Sequence, residues 1–359
     1  MIDLLIVGGG IVGSWLAYRA AERGMSVAMC DLSHRPGDAT SGRNSGVLHA
    51  GIYYKPESLK AIHCIRGYAL TLEYLQKNNV PHTVCGKLIT TGQQRGDEAE
   101  ARLQALLENA RSIGARDLSV IRNVEKHYPG VKGESALLSP HTGVCDAAAY
   151  LRSVQNRAQQ AGAFWLIGRK LVALENQADG VRAILQDDEG RQEEVVCARA
   201  VNAAGLYCDE VAAMVGLGGY EIVPVRGEYY RLNKPHPVNM LVYPLPDPNS
   251  TALGVHYTFH PGGDAYAGPN AVSAESKEDY RITQSARDFA ASLSHILDGY
   301  TEADLGPGYA GLRPRLRIDG QDYRDFYIHR QDNCIHLLGI ESPGLTSAAS
   351  LSETVLNQL

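Results

Sequence analysis

The chain has 359 residues, 44 % of them hydrophobic and 21 % charged, with a net charge of −6. That length suits two closely joined domains, and the composition is that of a globular protein. The negative balance, with no basic run to override it, gives no electrostatic reason to bind nucleic acid.

Residues 1–7 read as a buried strand, and Gly8-Gly-Gly-Ile-Val-Gly13 turns it into an alanine-rich helix. This is the G-x-G-x-x-G pattern in the setting where it has a mechanism, between a strand and a helix. Gly8 permits the tight turn, Gly10 lets backbone approach a pyrophosphate, and Gly13 lets helix and strand pack closely. The helix N-terminus adds unpaired N–H groups and partial positive charge. A second strand, Met25 to Cys30, ends at Asp31, where an acid binds an adenosine ribose. A bound dinucleotide is expected.

The loop Gly37 to Gly46 is short of hydrophobes and rich in small polar residues, and a helix follows it. Segment 97–113 has helical apolar spacing through Leu103, Leu106 and Leu107. Asp146 is placed to N-cap a helix within 141–162. Short strands are expected at 163–168, 170–175 and 181–186, then a strand ending in Asn202-Ala-Ala-Gly205. Residues 222–270 read as strands, with turns at Pro235-His-Pro237 and Pro246-Asp-Pro248, and 274–298 as a helix. Gly306-Pro-Gly-Tyr-Ala-Gly311 repeats the glycine pattern but precedes the extended, proline-containing Leu312-Arg-Pro-Arg-Leu316. Without a helix to follow, it is rejected as a second nucleotide site. Cys334 to Gly339 reads as a strand leading into a closing helix.

The fold expected is α/β (α+β overall). Residues 1–75, 141–220 and 300–359 form a discontinuous Rossmann-like domain. Residues 76–140 and 221–299 form an inserted, mostly antiparallel β-sheet that receives the substrate. Seven scattered cysteines with no C-x-x-C pair argue against a disulfide scaffold or zinc site and suit a reducing, cytoplasmic setting. His256 and His260, four apart, are not read as a metal site, because Pro261 and the extended pattern oppose a helix there. No stretch approaches the roughly 20 apolar residues of a transmembrane helix; peripheral membrane contact stays open.

Three stretches resemble one family: Ser41-Gly-Arg-Asn-Ser-Gly-Val-Leu-His49-Ala-Gly-Ile-Tyr-Tyr-Lys55-Pro, Tyr243-Pro-Leu-Pro-Asp-Pro248 with Gly254-Val-His256-Tyr-Thr, and Gly268-Pro-Asn-Ala-Val272. They are similar to the L-2-hydroxyglutarate dehydrogenases and oxidases, within the D-amino-acid-oxidase-like FAD enzymes. Asn202-Ala-Ala-Gly205 and the carboxyl-terminal strand, loop and helix resemble the wider group. The resemblance runs along essentially the whole chain. One departure is Gly339-Ile-Glu-Ser-Pro-Gly-Leu-Thr346, which is closer to the amine-oxidising relatives.

The resemblance implies FAD, held by Gly8, Gly10, Gly13, Asp31, Ser41, Arg43, Asn44, Ser45, Ala204, Gly205, Gly344, Leu345 and Thr346. The loop 41–46 can supply donors to pyrophosphate and flavin, and residues 344–346, opening the last helix, can aim N–H groups at the flavin pyrimidine. Arg313 matches the position that binds a substrate carboxylate, which guanidinium pairs with through two parallel hydrogen bonds. His256 and His49 compete for the base that takes the hydroxyl proton as hydride leaves Cα for flavin N5, with His256 favoured. Lys55, beside Tyr53 and Tyr54, is a candidate for a distal carboxylate, with Arg226 and Arg315 behind it. The expected reaction is oxidation of an L-2-hydroxy acid, foremost L-2-hydroxyglutarate, to the 2-oxo acid, with oxygen or a quinone as electron acceptor. The alternatives are oxidation of a Cα–N bond in an amino or imino acid and a flavin-binding protein without turnover. Oligomeric state and covalent attachment of FAD are not readable from the residues.

Overall fold

The computed structural model describes residues 1–247 and 253–359; the expected turn residue Pro248 lies outside them. Two sheets carry the architecture, one parallel at its centre and one nearly all antiparallel.

The first sheet is built on the strand Ile2–Val7, whose Leu4, Leu5 and Ile6 are fully buried. Such a continuous apolar run is what a parallel strand covered on both faces requires. Val27–Asp31 and Gln192–Asn202 flank it in parallel, and Phe164–Ile167 extends the sheet beyond Val27–Asp31. Gln192–Asn202 serves two neighbours along its other edge. Its first half pairs with the antiparallel Gly180–Gln186, and its end with the parallel Cys334–Leu338. The chain ends of Ile2–Val7, Gln192–Asn202 and Cys334–Leu338 therefore point the same way. Their loops open on one side, where ligands of open α/β sheets bind.

Four helices cover one face of this sheet. Ile11–Glu22 contacts both Ala147–Gln160 and Gly344–Leu356, and Leu59–Lys77 packs along Gly344–Leu356. Trp15, Tyr18, Tyr74 and Tyr150 pack among one another at their centre. The Trp15 indole N–H donates to the Tyr150 hydroxyl at 2.7 Å, which satisfies a buried polar pair. Asp146 caps its helix as expected, accepting from the Ala149 N–H at 2.9 Å.

The second sheet is organised by Tyr220–Leu232 and Leu305–Ile318, antiparallel from Tyr220–Ile318 to Leu232–Leu305 with a bulge near Glu228. From this pair the order runs through Ala265–Ala267, Tyr257–Phe259 and Leu241–Pro244 to Lys87–Thr90 and Ser135–Ser139. Among the described strands of this sheet only Leu241–Pro244 and Lys87–Thr90 are parallel. Residues 305–323, grouped in the sequence with the first body, hydrogen-bond here instead, because the long pairing with Tyr220–Leu232 recruits them. The second glycine pattern lies in the strand Leu305–Ile318, with no helix after it. It has a packing role: a Cβ on Gly311 would overlap the Arg43 carbonyl oxygen.

One expected element is shorter than its pattern. Helix forms only at Ala286–Leu293, not across 274–298. The N–H groups of Thr283 and Gln284 donate to the buried Glu228 carboxylate, both at 3.0 Å, and are lost to a helix. Ser285 and Asp288 then form a capping box that starts the helix afresh.

Candidate active site

A cavity of about 1180 Å³ runs between the two sheets, from Gly8, Gly10 and Asp31 at one end to His49, His256 and Arg313 at the other. That is room for a dinucleotide and a small acid together.

At the nucleotide end the glycines act as the spacing requires. Gly8 has φ +109°, a conformation side chains rarely adopt, and a Cβ there would overlap the Ala203 carbonyl. A Cβ on Gly13 would overlap the Gly8 carbonyl, so Gly13 supports the turn from beneath and does not line the cavity. The first intrahelical bond runs from the Ser14 N–H to the Gly10 carbonyl at 2.9 Å. The N–H groups of Val12 and Gly13 therefore have no intrahelical acceptor. Asp31 accepts from the Gly9 N–H at 2.6 Å and the Ser33 N–H at 2.8 Å. Burial raises its pKa, with those two hydrogen bonds opposing.

Loop 41–45 closes over this end. Ser41 Oγ accepts from the Ile11 N–H at 3.0 Å, joining loop to helix N-terminus. Asn44 braces the loop, donating to the carbonyls of Thr40 and Ser41 and accepting from the Gly46 N–H. Arg43 donates to the Asp38 carbonyl at 2.9 Å and lays its guanidinium over Tyr280 at 4.4 Å. Ser45, Ala204, Gly205, Gly344 and Leu345 also line the cavity, whereas Thr346 does not. Thr346 is buried behind the wall, where its hydroxyl accepts from the His49 N–H at 3.1 Å and donates to the Val47 carbonyl.

A dinucleotide ending in a flavin fits this donor set. Backbone approaches closely at Gly8 and Gly10, N–H groups are free at the Ile11–Glu22 helix, an acid stands at the ribose position, and a second helix N-terminus at Gly344 faces the far end.

The far end holds the titratable side chains. His256 is 4 % exposed and stacks on Tyr243, ring centres 3.7 Å apart. Its Nδ1 lies 2.8 Å from the Gly254 carbonyl, which fixes the proton on Nδ1 and leaves Nε2 as a lone pair. His49 is placed differently. Its Nε2 lies 3.3 Å from Ser342 Oγ, and its Nδ1 is buried without a partner. Burial pushes both imidazoles down to about 3, and the nearby Lys87 charge adds to this in each.

Arg313 donates through Nη2 to the Asn270 carbonyl at 3.2 Å, while its Nη1 is buried and unsatisfied. Asn270 is itself held by Glu228, donating to that carboxylate at 3.1 Å and accepting from the Glu228 N–H at 2.8 Å. Arg226, a weaker sequence candidate, belongs to this support. It is buried in ion pairs with Glu228 and Asp279 and is not free for a ligand. Tyr54 and Lys55 both line the cavity, Tyr54 from within and Lys55 as an exposed side chain at the rim. Arg315 lines it too, with a buried, unpartnered Nε.

Three groups were not singled out from the sequence. Tyr243 sits in a quoted motif without a role, although it is the surface on which His256 rests. Tyr53 presents a buried hydroxyl with no partner. Lys87 is 1 % exposed with its ammonium 4.6 Å from the rings of both tyrosines. The only signal for it was a lysine at the head of an apolar strand.

Comparison with known proteins identifies the family and the fold. The family model described as FAD dependent oxidoreductase matches residues 3–357. The chain is 37 % identical to L-2-hydroxyglutarate dehydrogenase, mitochondrial, of Homo sapiens, covering 99 % of this chain and 88 % of that one. It is 31 % identical to L-2-hydroxyglutarate dehydrogenase of Indibacter alkaliphilus, covering 98 % and 97 %. Among solved structures, L-alpha-glycerophosphate oxidase from Mycoplasma pneumoniae with FAD bound shares the fold. Its TM-score is 0.89 at 24 % identity, with 99 % and 94 % of the two chains covered.

Proposed function

We infer that this chain, which belongs to the FAD dependent oxidoreductase family, oxidises an L-2-hydroxy acid to its 2-oxo acid, with L-2-hydroxyglutarate as substrate. The observation that carries the reading is one cavity holding a histidine whose Nδ1 is engaged and whose Nε2 lone pair is left over, together with an arginine whose Nη1 is unsatisfied.

FAD, when bound, supplies the acceptor for the hydride lost from Cα. Arg313 takes the C1 carboxylate through two parallel hydrogen bonds and so decides which face of Cα is presented. His256 takes the hydroxyl proton on Nε2. Its depressed pKa means that it meets the substrate unprotonated, and the anionic substrate beside it raises its proton affinity when the proton must move. The Nδ1–H bond to Gly254 stabilises the imidazolium that results. His49, anchored through Thr346 and Ser342, completes the wall. Gly8, Gly10 and Asp31 hold the adenosine end, and Gly344 and Leu345 the flavin end, so the first sheet receives the cofactor and the second the substrate. Electrons pass on to oxygen or a quinone. All seven cysteines are unbonded, which suits a cytoplasmic setting, and no helix among the described residues is long and apolar enough to cross a membrane.

The test is the visible spectrum of the holoenzyme, recorded anaerobically during addition of L-2-hydroxyglutarate. Bleaching of the flavin band by that acid and not by its D-enantiomer is the expected result. Bleaching by an amino acid alone would transfer the protein to Cα–N oxidation, the reading the Gly339–Thr346 loop favours. No bleaching by any acid would leave a flavin-binding protein without turnover.

A further inference from the structure

Lys87 is a buried amine that the reaction as described does not use, and burial pushes its pKa down to about 7, so a carboxylate beside it would restore its charge. It heads the strand Lys87–Thr90, and all four residues of that strand are buried. Among the described residues no carboxylate pairs with it, and the groups around it are Tyr53, Tyr243, Cys64, His49 and His256. Two aromatic rings at 4.6 Å offset only part of the cost of taking an ammonium out of water. The Tyr53 hydroxyl beside it is buried and also lacks a partner. Two donors without an acceptor therefore meet behind one stretch of cavity wall, since Tyr53 and Tyr243 both line the cavity.

The second sheet sets these groups out in order. Arg313 stands on Leu305–Ile318; beyond Tyr220–Leu232 and Ala265–Ala267, His256 immediately precedes Tyr257–Phe259, Tyr243 lies on the next strand, and Lys87 on the one after. Read across the sheet, the sequence is guanidinium, imidazole, aromatic ring, ammonium. A 2-hydroxy diacid carries its groups in the matching order: carboxylate, hydroxyl carbon, methylenes, carboxylate. We propose a subsite in which the Tyr53 hydroxyl, on the cavity wall, receives the distal carboxylate of a dicarboxylate substrate, with Lys87 directly behind that wall supplying the opposite charge. Lys55, exposed at the rim, is not needed for it. The assignment rests on the reading of the cavity as a 2-hydroxy-acid site and adds what makes it selective.

The experiment measures kcat/KM of the holoenzyme for L-2-hydroxyglutarate and for L-2-hydroxyvalerate, the monocarboxylate of equal chain length. Lys87→Met should reduce the preference for the diacid about 100-fold, the scale of leaving a buried charge without its partner. Lys87→Arg should retain part of that preference, and Tyr53→Phe should lower it about 10-fold for one lost hydrogen bond to a charged group. Tyr53→Phe keeps the question open to refutation should Lys87→Met not fold. Alongside, the dissociation constants of glutarate and butyrate are read from the perturbed absorption of the bound flavin. Weakened glutarate binding relative to butyrate in the variants supports the subsite even if neither hydroxy acid is oxidised, an outcome that would sink the proposed reaction alone. A preference ratio and a glutarate-to-butyrate ratio both unchanged in the variants would overturn the subsite.

Discussion

The two histidines of the cavity differ in which nitrogen is free, and that difference is what separates them as candidate bases. His256 commits Nδ1–H to the Gly254 carbonyl at 2.8 Å, so a basic nitrogen is left over. His49 has its backbone N–H tied to Thr346 and Nε2 near Ser342, with Nδ1 enclosed and unpartnered. A base needs an unengaged lone pair beside the substrate, which favours His256. Replacing it with alanine should lower the rate of flavin reduction by L-2-hydroxyglutarate about 10² to 10⁴-fold, the usual contribution of a general base. FAD content should stay that of the parent protein. Stopped-flow reduction under anaerobic conditions measures this. A loss of less than about tenfold, with a larger one in His49→Ala, would reverse the roles.

At this scale the sequence showed chemistry but not supporting contacts. Arg313 and His256 were readable as candidates because their motifs resemble a family and their chemistry is specific, and both line the cavity. Lys87 was not, because a lysine opening a strand is usually solvent-facing, and alternation within Lys87-Leu-Ile-Thr90 does not say which face turns inward. Thr346 was expected at the cofactor and instead fastens His49 from behind. Residue type cannot separate those two uses of one hydroxyl. Arg226 looked available in the chain but carries two buried carboxylate partners, one of them 53 residues away.

Among the elements, the pair Leu59–Lys77 and Gly344–Leu356 links the fold to the site. Gly67 lies where the helices are closest: a Cβ there would overlap the Thr346 carbonyl oxygen and stand 2.8 Å from Ser347 Cα. Both obstacles are backbone, so neither can rotate away, and the Gly344–Leu356 helix would have to shift. That helix opens at the cavity and holds His49 through Thr346. Gly67→Ala should therefore cost about 1–3 kcal/mol in stability, as overpacking does, and should weaken FAD binding as well. Gly218→Ala is the control, since its Cβ meets nothing within 4 Å and its φ is not in the left-handed region. Thermal unfolding and flavin release should move for Gly67→Ala and stay nearly constant for Gly218→Ala. Equal behaviour of the two variants would show that the helix approach tolerates a methyl group. Elements with local signals, such as the Asp146-capped helix and the extended run after Gly306, were legible in the chain. The helix expected over 274–298 was not, because Glu228, distant in sequence, draws the Thr283 and Gln284 N–H groups out of it.

For the molecule as a whole, burying histidines in neutral form makes the fold sensitive to acid. His49 and His256 are pushed down to about 3 and His336 to about 4, by burial first in each case. The ordinary value is about 6.5, so between pH 6.5 and these lowered values the unfolded chain binds protons that the folded chain does not. Stability is thus fully present above pH 6.5 and is lost as pH falls toward 4 and then 3. His336 isolates the effect because it lies outside the cavity wall and is fully buried, with Asn202 at its Nδ1 and no partner for Nε2. Its share of the loss between pH 7 and pH 5 should be about 2 kcal/mol. Urea unfolding at both pH values checks it: His336→Phe should show a pH dependence shallower than the parent by that amount, whatever its absolute stability. Parallel curves for parent and variant would mean that His336 can take up a proton within the fold. Saturating FAD should raise stability at both pH values through its preference for the folded state. The His336 difference should persist with FAD bound, because that residue lies outside the cavity wall, whereas the shares of His49 and His256 should change as their cavity fills.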